Sequence, residues 1–427
     1  MIVTWRCDRR DFAMRHGLKI PQQSPMVPAM TETSTSPYDV AIVGGGPAGL
    51  AAAIAVAETG ARTALVARRA PYADNRTTAL LGGSVDFLDS LGVWQRCADK
   101  AAALTTMRLV DDTGRLIRAP EVKFVCDEIG LETFGYNIEN RELVAALEAR
   151  ASELTNLIRI DDEAETVAPG DAQVTIRMQR GETLAARLVV GADGRQSLCR
   201  EAAGIAVKRR PLGQMALTFN ISHSRPHKNI STEFHTPHGP CVFVPLPGDR
   251  SSIVWVNRPK DAEALMALDD AALSAAAERQ SHSILGRVTV GPGRHLFPLG
   301  IEEPFELAKN RTVLVGEAAH VVPPIGAQGL NLGLRDASDL ADMVRDAGIN
   351  GQDIGASDVI ARFARMRRTD IRSRTFAIDM ANRSLLSDLL PMQAIRAAGV
   401  HAMGAIGPLR RLAMREGLSP SWRNRAS

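Results

Sequence analysis

The sequence predicts an α/β protein with an inserted antiparallel sheet and a helical C-terminal region. Three observations support this prediction. A short apolar strand leads through a glycine-rich turn into an alanine-rich helix between Tyr38 and Gly60. Two later apolar strands end in polar turns, at 191–194 and 316–317. Between Leu212 and Pro298, short strand-like runs are separated by Pro, Gly and Asp, which is typical of an antiparallel sheet.

The first element is "YDVAIVGGGPAGLAAAIAVAETG", which carries no charge over the eighteen residues from Val40 to Ala57. That length is at the lower limit for a membrane span, but three glycines and a proline divide the stretch. The apolar run before them is typical of a strand buried on both faces. The run after them is typical of a helix with Pro at its start and Gly beyond its end. Strand, turn and helix therefore predict the first half of a Rossmann unit.

The glycine spacing predicts a dinucleotide site. Gly44 makes the tight turn, Gly46 lets the backbone approach a pyrophosphate, and Gly49 allows close packing of helix on strand. The free N–H groups at the helix N-terminus would bind the phosphates. The next strand usually ends in an acid that binds the ribose, but here it ends in Ala67 followed by Arg68. An arginine at this place leaves a 2′-phosphate, and hence NADP, as an alternative.

Two further motifs follow. The segment 186–205 runs from a strand into Gly-Ala-Asp-Gly, which contains Asp193. The segment 310–344 runs from a strand that delivers Glu317, through a Pro/Gly loop, into a helix from about Gly329 with apolar residues at helical spacing.

Together the three motifs resemble those of the single-component FAD-dependent aromatic hydroxylases. The stretches "PPIGAQGLNLGLRDASDLA" and "NRTTALLGGSVDFLDSLGVW" are most similar to the UbiH/UbiF/VisC family of ubiquinone-biosynthesis hydroxylases, and the resemblance covers Tyr38 to Gly417. It implies a Rossmann-like FAD-binding domain of the para-hydroxybenzoate hydroxylase type, with the inserted sheet binding substrate. It also implies that NAD(P)H reduces FAD, that O2 adds at the flavin C4a, and that the hydroperoxide hydroxylates a polyprenyl phenol.

The resemblance implies a set of FAD-binding residues in the glycine turn, the polar turns and the start of the later helix. They are Gly44, Gly46, Gly49, Arg68, Arg76, Asn140, Asp193, Gly194, Gly316, Glu317, Gly326, Gly329, Leu330 and Asn331. Pro323 and Pro324 would line the reactive side of the flavin. No side chain is assigned as a catalytic acid or base, because the flavin carries the chemistry.

Several of these residues have a simpler alternative role. Arg76 fits a solvated loop charge, Asn140 fits the N-cap of the helix "RELVAAL", and Asp193 fits a turn residue before glycine. Ser197 and Arg200 are expected to brace the Asp193 loop.

The chain departs from the family pattern at two FAD contacts. Glu317 replaces the family's aspartate, and Ala67 replaces the acid that binds the ribose. Each lost hydrogen bond costs on the order of 1 kcal/mol. We therefore expect weaker FAD binding rather than its absence.

The inserted sheet supplies the candidates for the substrate pocket, namely Phe234, Phe243, Val244 and Pro245. A core role is equally open for each of them. Aromatic residues make up 4% of the chain and no nucleic-acid motif is present, so a nucleic-acid partner is not expected.

Metal binding is not expected either. The pairs Glu317-x-x-His320 and His235-x-x-His238 each lack the further ligands that a di-iron or zinc site needs. The five cysteines are scattered without a C-x-x-C pair, which favours reduced thiols in a cytosolic protein.

The domain organisation is predicted as follows. Residues 1–36 form a disordered tail, 37–110, 140–210 and 296–346 the FAD-binding domain, 111–139 and 211–295 the substrate-binding sheet domain, and 347–427 a basic helical region. Residues 1–29 are interpreted as an over-extended start before Met30, with a basic transit-like arm as the alternative.

The C-terminal region, 355–427, holds thirteen arginines against five acids, a net charge of 13 − 5 = +8. Its helices fit either packing on the core or lying on an anionic membrane, which would suit a lipid-soluble phenol. The predicted location is cytoplasmic, with peripheral attachment to the inner face of the membrane left open. Two other functions also stay open: a flavin reductase or dehydrogenase of the same fold, and a non-catalytic member of an assembly with other ubiquinone-biosynthesis proteins.

Overall fold

A computed structural model describes residues 38–69, 75–387 and 389–418. The predicted N-terminal tail and both interpretations of residues 1–29 lie outside these residues. In chain order the strands are β1 (Tyr38–Val43), β2 (Thr63–Val66), β3 (Thr77–Leu81), β4 (Ala101–Ala103), β5 (Thr106–Asp111), β6 (Val122–Val125), β7 (Gly135–Glu139), β8 (Leu157–Ile160), β9 (Ala164–Pro169), β10 (Val174–Met178), β11 (Thr183–Gly191), β12 (Val207–His223), β13 (Ile230–Thr236), β14 (Gly239–Leu246), β15 (Arg250–Asn257), β16 (Val288–Pro304), β17 (Ala308–Lys309) and β18 (Thr312–Leu314).

The α-helices in chain order are α1 (Pro47–Glu58), α2 (Gly82–Ser90), α3 (Asn140–Ala151), α4 (Leu198–Ala202), α5 (Pro259–Met266), α6 (Asp270–Gln280), α7 (Gln328–Ile349), α8 (Ser357–Leu386), α9 (Leu390–Ala405) and α10 (Gly407–Leu418). Single helical turns also form at Cys126–Ile129, Gly316–Ala318 and Ile325–Ala327.

The first sheet confirms the Rossmann prediction. Strands β8, β2, β1, β11 and β18 lie side by side in that order, and every neighbouring pair among them is parallel. Helices α1, α3 and α7 share a hydrophobic core with these strands. Nine of the twelve residues of α1 are buried. The uncharged stretch is therefore a helix enclosed by protein, since a helix that is apolar all round belongs in a core or a membrane.

The second sheet contains the strand-like runs of the inserted region, in the order β16-β12-β15-β14-β13-β5-β6. Its neighbouring strands are antiparallel except for the parallel pair of β13 and β5. That pair differs because β5 comes from an earlier chain segment, so no hairpin turn fixes its direction. Helix α6 packs on one face of this sheet, through Leu273, Ala276 and Ala277.

A third, small antiparallel sheet has the order β3-β7-β4. It is joined to the second sheet by side-chain hydrogen bonds. The Asn137 amide on β7 donates to the Pro245 carbonyl on β14 at 2.8 Å, and the Thr77 hydroxyl on β3 donates to Ser252 on β15 at 2.8 Å.

The domain boundaries stay a prediction, but sheet membership differs from them in three places. Strand β5 joins the second sheet although all but its last residue lies before the boundary at 111, and β7 joins the small sheet although it falls within 111–139. Strand β16 extends the second sheet to Pro304, beyond the boundary at 295. Long-range strand pairing decides this membership, and the local pattern does not reveal it.

The C-terminal region is helical, as predicted. Several of its arginines point inward: Arg367 is 1% exposed, and Arg396 pairs with Asp111 at 3.1 Å. Across the described ranges, no helix combines the length and the apolar character needed to cross a bilayer.

Candidate FAD and substrate site

The glycine turn between β1 and α1 is packed on two sides and open on the third. Gly44 has φ +117°, and a Cβ there would collide with the Ala192 carbonyl. A Cβ at Gly49 would collide with the Gly44 carbonyl. At Gly46, by contrast, a Cβ would meet no atom within 4 Å. This is the geometry that the spacing predicts: two glycines required by packing and one beside open space.

The outer cleft, a groove of about 1200 Å³, lies on one side of this turn. Gly44 and Asp193 line it, together with Ala67 and Arg68, the two residues that follow β2. Arg68 is exposed and pairs with Glu163 at 3.3 Å. The place of the missing ribose acid is therefore lined by an alanine and a surface arginine.

Arg159 on β8 also lines the outer cleft, and sequence reasoning missed it. Its guanidinium pairs with Glu148 on α3 and donates to the Ala67 carbonyl at 3.2 Å. The alternation within β8 gave no signal of this role, because only the pairing of β8 with β2 brings the side chain to Ala67.

The inner cavity, of about 710 Å³, lies on the other side of the turn and shares Gly46 with the outer cleft. Most of the residues that the resemblance implied meet around it, although they come from segments far apart in sequence. Those that line it are Gly46, Gly49, Arg76, Asn140, Gly194, Gly316, Glu317, Pro324, Gly326, Gly329, Leu330 and Val244.

Asn331 and Pro323 are buried and lie behind the cavity lining. The Asn331 carboxamide accepts from the Leu81 N–H at 2.9 Å and donates to the Ala79 carbonyl at 2.8 Å. Asn331 therefore joins the start of α7 to β3, and Pro323 lies behind its neighbour Pro324, which does line the cavity.

Asn140 is not an N-cap, so that alternative is wrong. It is the first residue of α3, and Glu139 occupies the N-cap position without capping the helix through its side chain. The Asn140 side chain is 8% exposed and accepts a hydrogen bond from the Thr78 hydroxyl at 2.6 Å. Asn140 is therefore held against the cavity wall by the small sheet.

The structure corrects the substrate-pocket prediction for three of its four residues. Phe234 and Phe243 are each 2% exposed and pack edge to face in the core beneath α6. Pro245 is also absent from the cavity lining, whereas Val244 belongs to it. The reason is the two-residue period of a strand, which turns Val244 to one face of the sheet and its neighbours to the other.

The Asp193 loop is braced as predicted. The Ser197 hydroxyl caps α4 by accepting from the Arg200 N–H at 3.0 Å. The buried Arg200 guanidinium donates to the carbonyls of Ala318, at 3.0 Å, and Arg195, at 2.6 Å. Asp193 accepts from the Cys199 N–H through Oδ2, and its buried Oδ1 has no hydrogen-bond partner. An acceptor in that condition is suited to a ligand hydroxyl.

Glu317 projects from the helical turn Gly316–Ala318, and its side chain is 59% exposed. Its carboxylate lies 3.6 Å from the Arg195 guanidinium. This pair joins the second and third motifs at the rim of the inner cavity, where both side chains line it.

A buried charge cluster supports the Glu317 turn from behind. Asp336 on α7 is fully buried, pairs with Arg367 at 2.6 Å and His320 at 2.7 Å, and accepts from the Gly316 N–H at 2.9 Å. Burial alone would raise the pKa of Asp336, but the charges of His320 and Arg367 and these hydrogen bonds lower it to about 2. His320, whose role the sequence left undecided, is therefore a structural residue of this cluster.

Within the described residues, no group of three or more His, Cys, Asp or Glu side chains could hold a metal ion.

Comparison with known proteins identifies the fold family. Residues 37–349 match the family model described as an FAD binding domain. The chain is 33% identical to the ubiquinone hydroxylase UbiL of Rhodospirillum rubrum, with 91% of each protein covered. It is 29% identical to 3-demethoxyubiquinol 3-hydroxylase of Escherichia coli, and the matched region covers 90% of this chain and 99% of that protein.

The chain belongs to the FAD-binding hydroxylase family. Its fold agrees with that of p-nitrophenol 4-monooxygenase PnpA from Pseudomonas putida, with a TM-score of 0.73 at 20% identity over 90% of this chain and 98% of that structure. The family assignment confirms the resemblance read from the three motifs, and with it FAD as the cofactor of this hydroxylase.

The residues of this family member fit FAD. Gly46 is the N-cap of α1 and provides no side-chain cap, so the first N–H groups of the helix face the open space beside it. Such a helix N-terminus binds phosphate. Ala327, the N-cap of α7, also leaves its helix without a side-chain cap. Gly326, Gly329 and Leu330 bring that positive helix end to the inner cavity, where it would favour negative charge on a bound cofactor. The individual contacts to FAD stay a prediction.

Thr218 on β12 is a further residue that sequence reasoning missed. It lines the inner cavity and is 8% exposed, and its hydroxyl has no hydrogen-bond partner. Its cross-strand neighbours are Val254 and His295, which also line the cavity. No sequence motif marks it, because a threonine within a long strand is ordinary.

Proposed function

We propose that this protein hydroxylates the aromatic ring of a polyprenyl phenol on the route to ubiquinone, using FAD, NAD(P)H and O2. The observation that carries the proposal is the inner cavity, which the glycine turn, the start of α7 and the second sheet all line. Bound FAD supplies the redox chemistry: two electrons pass from NAD(P)H to O2, one oxygen atom enters the ring, and the other leaves as water.

The protein's own contribution is binding, orientation and exclusion of water. On β14 and β15 the cavity wall presents Val242, Val244, Ile253 and Val254. These apolar side chains would hold an aromatic ring by burial and keep bulk water from the reacting atoms.

Thr218 supports the orientation of the ring in this proposal. A buried hydroxyl without a partner costs roughly 1–3 kcal/mol, which a ligand hydroxyl removes by forming the missing bond. We infer that Thr218 binds the phenol hydroxyl of the substrate, because its hydroxyl lines the cavity and has no hydrogen-bond partner.

A peripheral membrane location is the second part of the proposal. Helix α9 exposes Leu390 and Ile395 at 53% and 64%, and Ile406 just after the helix is 50% exposed. Arg411 and Arg415 on α10 are also exposed. Apolar residues flanked by arginines suit an anionic lipid surface. A lipid-soluble substrate would reach the protein there.

The function is tested on the purified full-length chain. We expect flavin absorbance, and NAD(P)H oxidation coupled to formation of a hydroxylated prenyl phenol that mass spectrometry detects. NAD(P)H oxidation that never yields a hydroxylated product would favour the reductase alternative. A colourless protein that takes up no added FAD would favour the non-catalytic one.

The membrane part is tested by flotation with vesicles. Wild-type protein should float with anionic vesicles and not with neutral ones, and Ile395→Glu should abolish this. The matched control is Ile349→Glu, at a residue that is 77% exposed at the end of α7. Equal flotation of both variants would contradict the assignment of membrane binding to α9.

A further inference from the structure

One end of the inner cavity is closed by the last described helix. Helix α10 contributes Ala413, Met414, Gly417 and Leu418 to the lining. Their spacing of one, four and five residues places them on a single face of the helix. The helix is held there in part by Arg410, which pairs with Glu128 at 2.7 Å.

The lining at this end is an apolar cluster, which we name the apolar arm: Met107, Phe124, Phe134, Met414 and Leu418. Phe134 and Met414 are 2% and 7% exposed, and the other three are partly buried. Arg108 lines the cavity beside the arm, but its guanidinium is engaged by Glu121 at 2.7 Å. The arm itself contains no hydrogen-bonding side chain, so it favours a purely hydrocarbon ligand.

The rest of the cavity has a different chemistry. Around the glycine turn the lining includes Arg76, Asn140, Arg195 and Glu317 as well as backbone N–H groups. The cavity therefore combines a polar end with an apolar end. The residues of the polar end are those predicted to contact FAD, so the apolar end is left for an apolar part of the substrate.

We propose that the apolar arm is the binding subsite for the first isoprene units of the substrate tail, and that the tail leaves the protein alongside α10. This inference rests on the proposed function and deepens it, since it assigns a place to the part of the substrate that does not react. Two methionines in the arm suit a chain of variable conformation, because the methionine side chain is flexible and adapts to irregular shapes. Beyond α10 the tail would meet the exposed apolar residues of α9.

The test blocks the arm with a bulkier side chain. Met414→Trp fills the subsite, and Leu412→Trp places the same side chain at a 56% exposed position of the same helix. Both variants and the wild type are assayed in detergent with two substrates, a phenol that bears a tetraprenyl tail and the same phenol without a tail. Binding of geranylgeraniol to each protein is measured separately by calorimetry.

We expect Met414→Trp to raise KM for the tailed phenol by about tenfold or more, and to abolish geranylgeraniol binding. It should leave kcat for both substrates, and KM for the tailless phenol, within about twofold. Leu412→Trp should behave as the wild type. Equal effects of Met414→Trp on the two substrates, or equal effects of the two tryptophan variants, would overturn the proposal. If Met414→Trp melts at a lower temperature than the wild type, Leu418→Trp replaces it.

The two proposals fail in different ways. Wild-type protein that hydroxylates tailed and tailless phenols with the same KM, and does not bind geranylgeraniol, would disprove the subsite and leave the function intact. Wild-type protein that hydroxylates neither phenol, yet binds geranylgeraniol through Met414, would disprove the function and leave an isoprenoid-binding site.

Discussion

Replacing Gly46 by alanine should separate the stability of the fold from its affinity for FAD. The backbone of Gly46 has φ −72° and ψ 172°, which alanine adopts without strain, and a Cβ would meet no atom within 4 Å. The free energy of unfolding of the apoprotein should therefore change by less than about 1 kcal/mol. The same Cβ would fill the space beside the α1 N-terminus, where the pyrophosphate is expected.

The magnitude follows from the hydrogen bonds lost. Displacing the pyrophosphate from two backbone N–H groups removes two charge-assisted bonds, worth roughly 1.5 kcal/mol each. A loss of about 3 kcal/mol raises Kd for FAD by about 100-fold. At FAD concentrations of about 100 times the wild-type Kd, FAD should stabilise the wild type by about 2.7 kcal/mol and Gly46→Ala by only about 0.4 kcal/mol.

The assay is a fluorescence titration of apoprotein with FAD, combined with thermal unfolding with and without FAD. Gly83→Ala is the control, because Gly83 is exposed on α2, outside the cavity lining, and its Cβ would also meet nothing. Gly49→Ala is the contrast: its Cβ would collide with the Gly44 carbonyl, and we expect a loss of about 1–3 kcal/mol without FAD. Wild-type affinity in Gly46→Ala, or instability equal to that of Gly49→Ala, would refute the reasoning.

Three further predictions concern the rim, the wall and the support of the site. The lowered pKa of Asp336 means that the stability its charge supplies is complete above about pH 4 and is lost as pH falls towards 2. Asp336→Asn should remove this pH dependence of the free energy of unfolding and should cost about 3 kcal/mol at neutral pH in urea unfolding. Glu317→Ala should raise Kd for FAD by about tenfold without changing apoprotein melting, because its pair with Arg195 is largely exposed; an unchanged Kd would place Glu317 outside the FAD contacts. Thr218→Val should raise KM for the phenol by about tenfold with FAD affinity unchanged, and an unchanged KM would assign the phenol hydroxyl to another partner.

The cofactor half of the protein was predictable because its signals are local. The roles of Gly44, Gly46 and Gly49 depend on a turn of six residues, and the structure shows a collision or an open space at each as the spacing requires. The brace formed by Ser197 was predicted for the same reason, and so was the position at which α7 begins. In each case one short segment carries both the signal and the contact.

The substrate half required the tertiary structure. Val244 and Phe243 are neighbours of equal apolar character, and only the pairing of β14 decides which of them faces the cavity. Thr218 is significant only because its neighbours leave its hydroxyl without a partner. Met414 reaches the cavity from nearly the last described turn of the chain.

The sequence by itself determined the Rossmann unit, because a strand, a glycine turn and a helix specify a phosphate site through backbone geometry alone. The family and FAD as the cofactor were indicated by the resemblance of all three motifs to known hydroxylases. Only the tertiary structure decided the shape of the cavity, the residues that face it and the arginines that turn inward, such as Arg367. The physical reason is that these properties arise from contacts between segments up to hundreds of residues apart. Such contacts depend on strand register and helix packing, which leave no periodic signal in the segments that they join.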